Sequence, residues 1–158
     1  MIVDIITFMQ CISQFLDKII PSVRADAHCD IPCGIYDATP AKIAAVTVLR
    51  MVLQIKELHP PAGFPLTLDI NAMKAFAQSM MRRIAVKEQH AELCKKELLI
   101  LWTDFFKAEH LEKFPQLHVL FWQATKLCSK NKQEVNEDAA RDLVAAVDGI
   151  AKVFYDTK

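Results

Sequence analysis

The run His28-Cys29-Asp30-Ile31-Pro32-Cys33-Gly34-Ile35-Tyr36 holds an imidazole and two thiols within a few residues, beside a proline and a glycine. Directly ahead of it stands Ala25-Asp26-Ala27, the small-x-small form that a processing peptidase reads before cleaving. Cleavage before His28 would turn its backbone nitrogen into a free α-amine. That amine, the imidazole, the Cys29 amide and the Cys29 thiol could then chelate one ion through small rings. Cys33 returns after the Pro32 bend to complete a square plane of nitrogen and sulfur donors. Such a plane suits Ni(II) or Cu(II), whereas zinc prefers a tetrahedron.

Nickel bound by water or imidazole alone is very hard to oxidise. Two thiolates and an ionised amide raise electron density on the metal and bring Ni(III) within reach, and the His28 imidazole can serve as an axial ligand that favours the oxidised ion. A centre that takes and gives one electron can act on superoxide in both directions, an antioxidant activity. Taken bare, Cys-x-x-x-Cys is a weak pattern, more often structural than catalytic, and the histidine and cleavage site are what change its meaning. Two rivals remain: a non-catalytic nickel or copper carrier using the same donors, and a thiol–disulfide oxidoreductase using Cys29 and Cys33 without metal. Cys11, Cys94 and Cys128 stand alone in apolar helical patterns and read as buried thiols.

The elements that must position this run are helical. The chain has 158 residues, 53% apolar and 24% charged, within the globular range and long enough for one domain with a core. Three glycines and seven prolines leave little for the turns of a many-stranded β fold. Nineteen basic and nineteen acidic residues cancel, so the overall charge argues for neither nucleic acid nor an anionic membrane as partner. Asp4, Gln10, Gln14, Asp17 and Lys18 interrupt the most hydrophobic segment, leaving no transmembrane span.

Residues 1–27 read as a leader removed on maturation. Ile2, Ile5, Ile6, Met9, Ile12, Leu16, Ile19 and Ile20 lie at helical spacing until Pro21. The segment lacks a basic opening, which favours a cytoplasmic protein with a maturation leader; an organellar or exported protein is the alternative. After the hook, residues 28–36, Thr39-Pro40 predicts a helix start with Thr39 as cap, and the helix runs to about Leu58. Asp69 or Asn71 caps a long second helix to about Phe106. A third follows Phe114-Pro115 and fades at Ser129-Lys130-Asn131, and a fourth begins near Asn136-Glu137-Asp138. The expected fold is all-α: a four-helix bundle over residues 37–158, preceded by the hook and its cleavable leader. His59, His110 and His118 read as loop, helix-end or interface histidines, with no metal-type residue at helical spacing beside them.

The hook sequence closely resembles that of the nickel superoxide dismutase family. The resemblance continues through Lys87-Glu88-Gln89, Ala91-Glu92-Leu93, Leu101-Trp102-Thr103-Asp104, Phe106-Lys107 and Glu112-Lys113-Phe114-Pro115-Gln116-Leu117-His118, and covers nearly all of residues 28–158. It implies one nickel ion per subunit, bound by the His28 amine and imidazole, the Cys29 amide and thiolate, and the Cys33 thiolate. It also implies that Tyr36 gates the open face, that Asp30 and Pro32 shape the hook, and that the bundle assembles as a homohexamer after a maturation protease has acted. Lys107 is then the local positive charge that draws superoxide.

Two departures accompany the resemblance. Familiar members orient the axial imidazole with a glutamate on the first helix and an arginine on the long one, where this chain has Ala44 and His90. Groups that orient a metal-bound histidine matter about ten- to a hundredfold in affinity or activity, and His90 is expected to take over by reaching the His28 imidazole directly or through water. Phe105 stands where many members have tyrosine, which removes a polar group near Tyr36.

Overall fold

The computed structural model describes residues 34–64 and 69–158. The chain divides into two units, Met1–Gly34 and Ile35–Lys158, and the leader and most of the hook fall outside the described residues. The second unit contains α1 (Thr39–Lys56), α2 (Ile70–Ile100) continued by a π-helical turn Leu101–Phe105, a short α3 (Ala108–Lys113), α4 (Leu117–Gln133) and α5 (Glu137–Thr157). No strand occurs among the described residues. The all-α bundle expected from the sequence is the fold observed.

The long helices bury residues that recur at alternating intervals of four and three. These are Ala41, Ala45, Val48, Val52 and Ile55 in α1, and Lys87, Ala91, Cys94, Leu98 and Leu101 in α2 and its π turn. In α4 they are Leu117, Phe121, Ala124, Cys128 and Asn131, and in α5 Ala140, Leu143, Val147, Ile150 and Phe154. A seven-residue repeat of this kind packs helices about 20° from antiparallel, knobs into holes. Helix α1 lies against α2 and α5, and α4 lies against the same two. Ion pairs Lys56–Glu137 (2.7 Å) and Lys42–Asp148 (3.0 Å) show α1 and α5 running in opposite directions. Lys132–Glu92 (2.7 Å), together with the Trp102–Phe121 ring contact (4.9 Å), shows the same for α4 and α2 with its continuation.

The bundle therefore has two ends of different chemistry. At one, Ile55, Lys87, Asn131 and Ala140 belong to the terminal turns of the core. Lys87 is a charged side chain only 1% exposed. Its ammonium donates to the carbonyls of Asn131, Lys132 (3.2 Å) and Glu134 (2.9 Å), so all of its hydrogens meet carbonyls at the C-terminus of α4. That is also the negative end of the helix dipole. Burial pushes the Lys87 pKa down from its ordinary value, opposed by the nearby Glu88 carboxylate. Asn131 donates to the carbonyls of Leu127 and Ala139, both 2.9 Å, and so ties α4 to the first turn of α5.

Local signals set most of the boundaries. Asp69 accepts from the amides of Asn71 (2.9 Å) and Ala72 (3.1 Å), and Asn136 accepts from Ala139 (3.0 Å). The start of α1 differs from expectation. Its cap position is Ala38, Thr39 is already helical, and the carboxylate of Asp37 takes the Thr39 amide instead (2.7 Å). The long helix also departs from a regular α-helix at its end. The Phe106 amide bonds to the Leu101 carbonyl at 3.0 Å, a wider turn than the α-helical one.

Candidate metal centre

His28, Cys29 and Cys33 lie outside the described residues, as do Asp30 and Pro32. Gly34 adopts φ 66°, a left-handed conformation natural to glycine, so the chain turns sharply just after Cys33. Among the described residues no three His, Cys, Asp or Glu side chains come together in a way that could hold a metal ion. The thiols of Cys94 and Cys128 are free and fully buried. Hydrogen bonding with Cys128, together with burial, pushes the Cys94 thiol well above its ordinary pKa and keeps it protonated. A metal ligand needs a thiolate, so this pair behaves as core. The described bundle therefore contains no donor set that would compete for nickel with the hook expected from the sequence.

What the described residues do supply is the ground from which the hook departs. The end of the bundle opposite Lys87 is closed by aromatic rings. Phe105 touches Phe106 (5.1 Å between centroids), Phe154 (4.6 Å) and the His110 ring, stacked at 5.7 Å. Tyr36 joins them, its ring 5.6 Å from Phe105 and its hydroxyl donating to the Asp104 carbonyl at 3.3 Å. The acceptor belongs to the last turn of a helix, where carbonyls have no partner along the chain. Phenylalanine at position 105 thus gives Tyr36 a ring to pack on, and the polar contact comes from the backbone next door.

Lys107 follows that turn directly. It is exposed and makes no ion pair among the described residues, so its charge is not cancelled locally. Its backbone amide donates to Nδ1 of His110 (3.1 Å), fixing the start of α3. Tyr36 and Lys107 therefore flank the same turn, Tyr36 through contact with Asp104 and Phe105 and Lys107 by sequence.

The two departures from the family pattern sit differently. Ala44 is fully buried in α1 and is part of the core. His90 is half-buried on α2, and its Nδ1 lies 2.9 Å from the Val86 carbonyl. Because a carbonyl can only accept, Nδ1 is the donor of this hydrogen bond. A side chain so fixed is suited to orienting another group.

Comparison with known proteins decides the family. The model of the family described as nickel-containing superoxide dismutase matches residues 23–158, which takes in the entire hook and the bundle. The chain belongs to the nickel-containing superoxide dismutases. It is accordingly an oxidoreductase with nickel as its cofactor. The nickel superoxide dismutase of Streptomyces seoulensis is 34% identical over 138 residues, 87% of this chain and 93% of that protein. The corresponding protein of Streptomyces coelicolor is 33% identical over 141 residues, with the same shares. A crystal structure of a nickel-containing superoxide dismutase, with ligation corresponding to the oxidised state, matches with a TM-score of 0.66 and 32% identity, over 82% of this chain and 97% of that one. A native nickel superoxide dismutase structure matches with the same TM-score and coverage at 31% identity.

The bundle adds residues around Tyr36 that the sequence did not single out. Asp37 accepts from the Tyr155 hydroxyl at 3.0 Å as well as from the Thr39 amide, and Lys158 donates to the Tyr36 carbonyl at 3.2 Å. Asp37, two residues ahead of the helix start, carries a capping signal that the sequence reading gives to Thr39. Tyr155 and Lys158 are 118 and 122 residues from their partners and left no local signal.

Proposed function

We propose that the mature enzyme begins at His28, after residues 1–27 have been removed, and converts two superoxide ions and two protons into dioxygen and hydrogen peroxide. The observation that carries this reading is that the family match spans residues 23–158, so that His28, Cys29, Cys33 and Tyr36 all fall within it. The His28 amine and imidazole, the Cys29 amide and thiolate and the Cys33 thiolate are the proposed ligands of one nickel ion per subunit. These donors would hold nickel in an electron-rich site, where it would supply the one-electron Ni(II)/Ni(III) chemistry that superoxide dismutation requires.

The protein's own residues do the rest. Tyr36, packed on Phe105 and tied to Asp104, restricts approach to the open face, and Lys107 raises the local concentration of the anionic substrate. His90 takes the orienting role that Ala44 cannot fill, supported by its fixed Nδ1–H bond to Val86. Assembly into a homohexamer is supported by apolar side chains left in the open. Val119 is 50% and Trp122 58% exposed, and Trp122 lines a cavity of about 180 Å³ together with Leu99, Trp102 and His118. No described helix is long and apolar enough to cross a membrane, and the absence of a basic opening to the leader supports a cytoplasmic enzyme.

Intact mass, nickel content and superoxide decay, measured on one preparation, test the reading. A chain starting at His28 with stoichiometric nickel and rapid dismutation supports it. Nickel bound without turnover would make the protein a carrier, and thiol exchange without metal would make it a disulfide oxidoreductase.

A further inference from the structure

The segment that launches the hook is tied down from the far end of the chain. Between Gly34 and the first turn of α1 only Ile35, Tyr36, Asp37 and Ala38 intervene, and Ile35 is 81% exposed. Ala38 is buried and the Tyr36 ring packs on Phe105, and polar contacts add to this packing in holding the stretch. The Asp37 carboxylate Oδ1 accepts from the Thr39 amide (2.7 Å) and from the hydroxyl of Tyr155 (3.0 Å). The same phenol lies 3.4 Å from the Thr39 hydroxyl. One turn further along α5, the Lys158 ammonium donates to the Tyr36 carbonyl (3.2 Å) and rests over the Phe154 ring (5.5 Å from its centroid). Hydrogen bonds from Thr39, then from Tyr155, with the Lys158 charge nearby, hold the Asp37 carboxyl below its ordinary pKa and keep it an acceptor at neutral pH.

We propose that Tyr155 is a positioning residue for the metal hook: with Lys158 it clamps Tyr36 and Asp37 to the last turn of α5, fixing the direction in which the hook leaves the bundle. The inference rests on the reading of His28–Tyr36 as a nickel hook. Its physical content is a saving of chain entropy. A flexible stretch costs about 1–2 kcal/mol per residue to fix in one conformation, and a stretch already held in place by α5 does not incur that loss again when metal binds. Tyr155 is half-exposed and its ring already packs against Phe154 (5.1 Å), so phenylalanine in its place keeps the packing and removes only the hydroxyl.

The test uses the processed, nickel-loaded enzyme. In Tyr155→Phe, nickel loss to an excess of chelator should quicken by about three- to tenfold, the span expected for one hydrogen bond. Amide exchange at Tyr36, Asp37 and Thr39 should quicken with it, also in the metal-free protein, and the thermal midpoint should stay where it is. Combining Tyr155→Phe with Asp37→Ala should add little to Asp37→Ala alone, because both remove the same contact. Wild-type rates of metal loss and exchange in Tyr155→Phe overturn the inference, and so does a faster loss that is fully additive with Asp37→Ala. A wild-type enzyme that binds no nickel would overturn the hook reading itself, and the exchange rates would then still report whether the clamp exists.

Discussion

The two ends of the bundle hold themselves together by opposite means. At one end a buried ammonium, Lys87, closes the C-terminus of α4, and the buried amide of Asn131 joins α4 to α5. At the other, rings close the core, and the polar contacts, from Tyr36 to Asp104 and from Asp37 to Tyr155, lie at or near the surface. Buried groups are expensive to leave without a partner, whereas exposed ones exchange their partner for water at little cost. The Lys87 end therefore secures the fold. At the ring end stability comes from the buried rings, and the polar contacts near the surface are free to serve the placement of a neighbouring segment.

The sharpest way to break this contrast is Lys87→Met, which leaves the carbonyls at the end of α4 without donors. Stability should fall by about 1–3 kcal/mol in denaturant unfolding, the cost of buried acceptors left without donors, while nickel content per folded molecule is unchanged. A loss below about 1 kcal/mol would make the two ends equivalent. Next in size is His90→Ala, expected to lower turnover about tenfold or more with an unaltered unfolding midpoint. Unchanged turnover and unchanged axial ligation would remove the orienting role of His90. Tyr36→Phe comes third. Losing a 3.3 Å bond to Asp104 should cost about 0.5–1 kcal/mol at most, so any larger change in turnover belongs to placement and not to folding.

The smallest effect is that of acid. Asp37 at the ring end, held by Thr39, and Glu92 and Glu137 at the other, held by Lys132 and Lys56, all have carboxyl pKa values below the ordinary 3.8 and 4.5. A depressed carboxyl pKa contributes stability that is fully present above the unfolded-state value and is lost as pH falls through the folded one. The thermal midpoint should accordingly be insensitive to these groups above pH 4.5 and decline below it. Glu92→Gln with Glu137→Gln should flatten most of that slope, leaving the part due to Asp37.

Much of the bundle was legible in the sequence because its signals are local: Asp69 and Asn136 are capping residues, and proline and glycine mark the breaks. Less legible was anything whose cause lies in a distant partner. Lys87 reads as a surface lysine until α4 ends beside it, and the π turn at Leu101–Phe105 follows from the packing of Phe106 in the core, 8% exposed, and not from any breaker residue. Thr39-Pro40 gave the right helix start and the wrong cap, because Asp37 accepts the Thr39 amide and Thr39 is itself the first helical residue. At the site the balance reverses. The proposed ligands His28, Cys29 and Cys33 stand close together in sequence, as chelation by a chain end requires, whereas the contacts that hold Tyr36 and Asp37 needed the fold.

The most direct test compares the chain beginning at His28 with one that retains Ala27, both supplied with nickel. The chelating amine exists only in the first, so it should hold one nickel ion and dismutate superoxide, and the second should lose at least about a hundredfold in rate, the upper range for disturbing a ligand's surroundings. Equal nickel content and equal rates in the two would contradict the account at its centre.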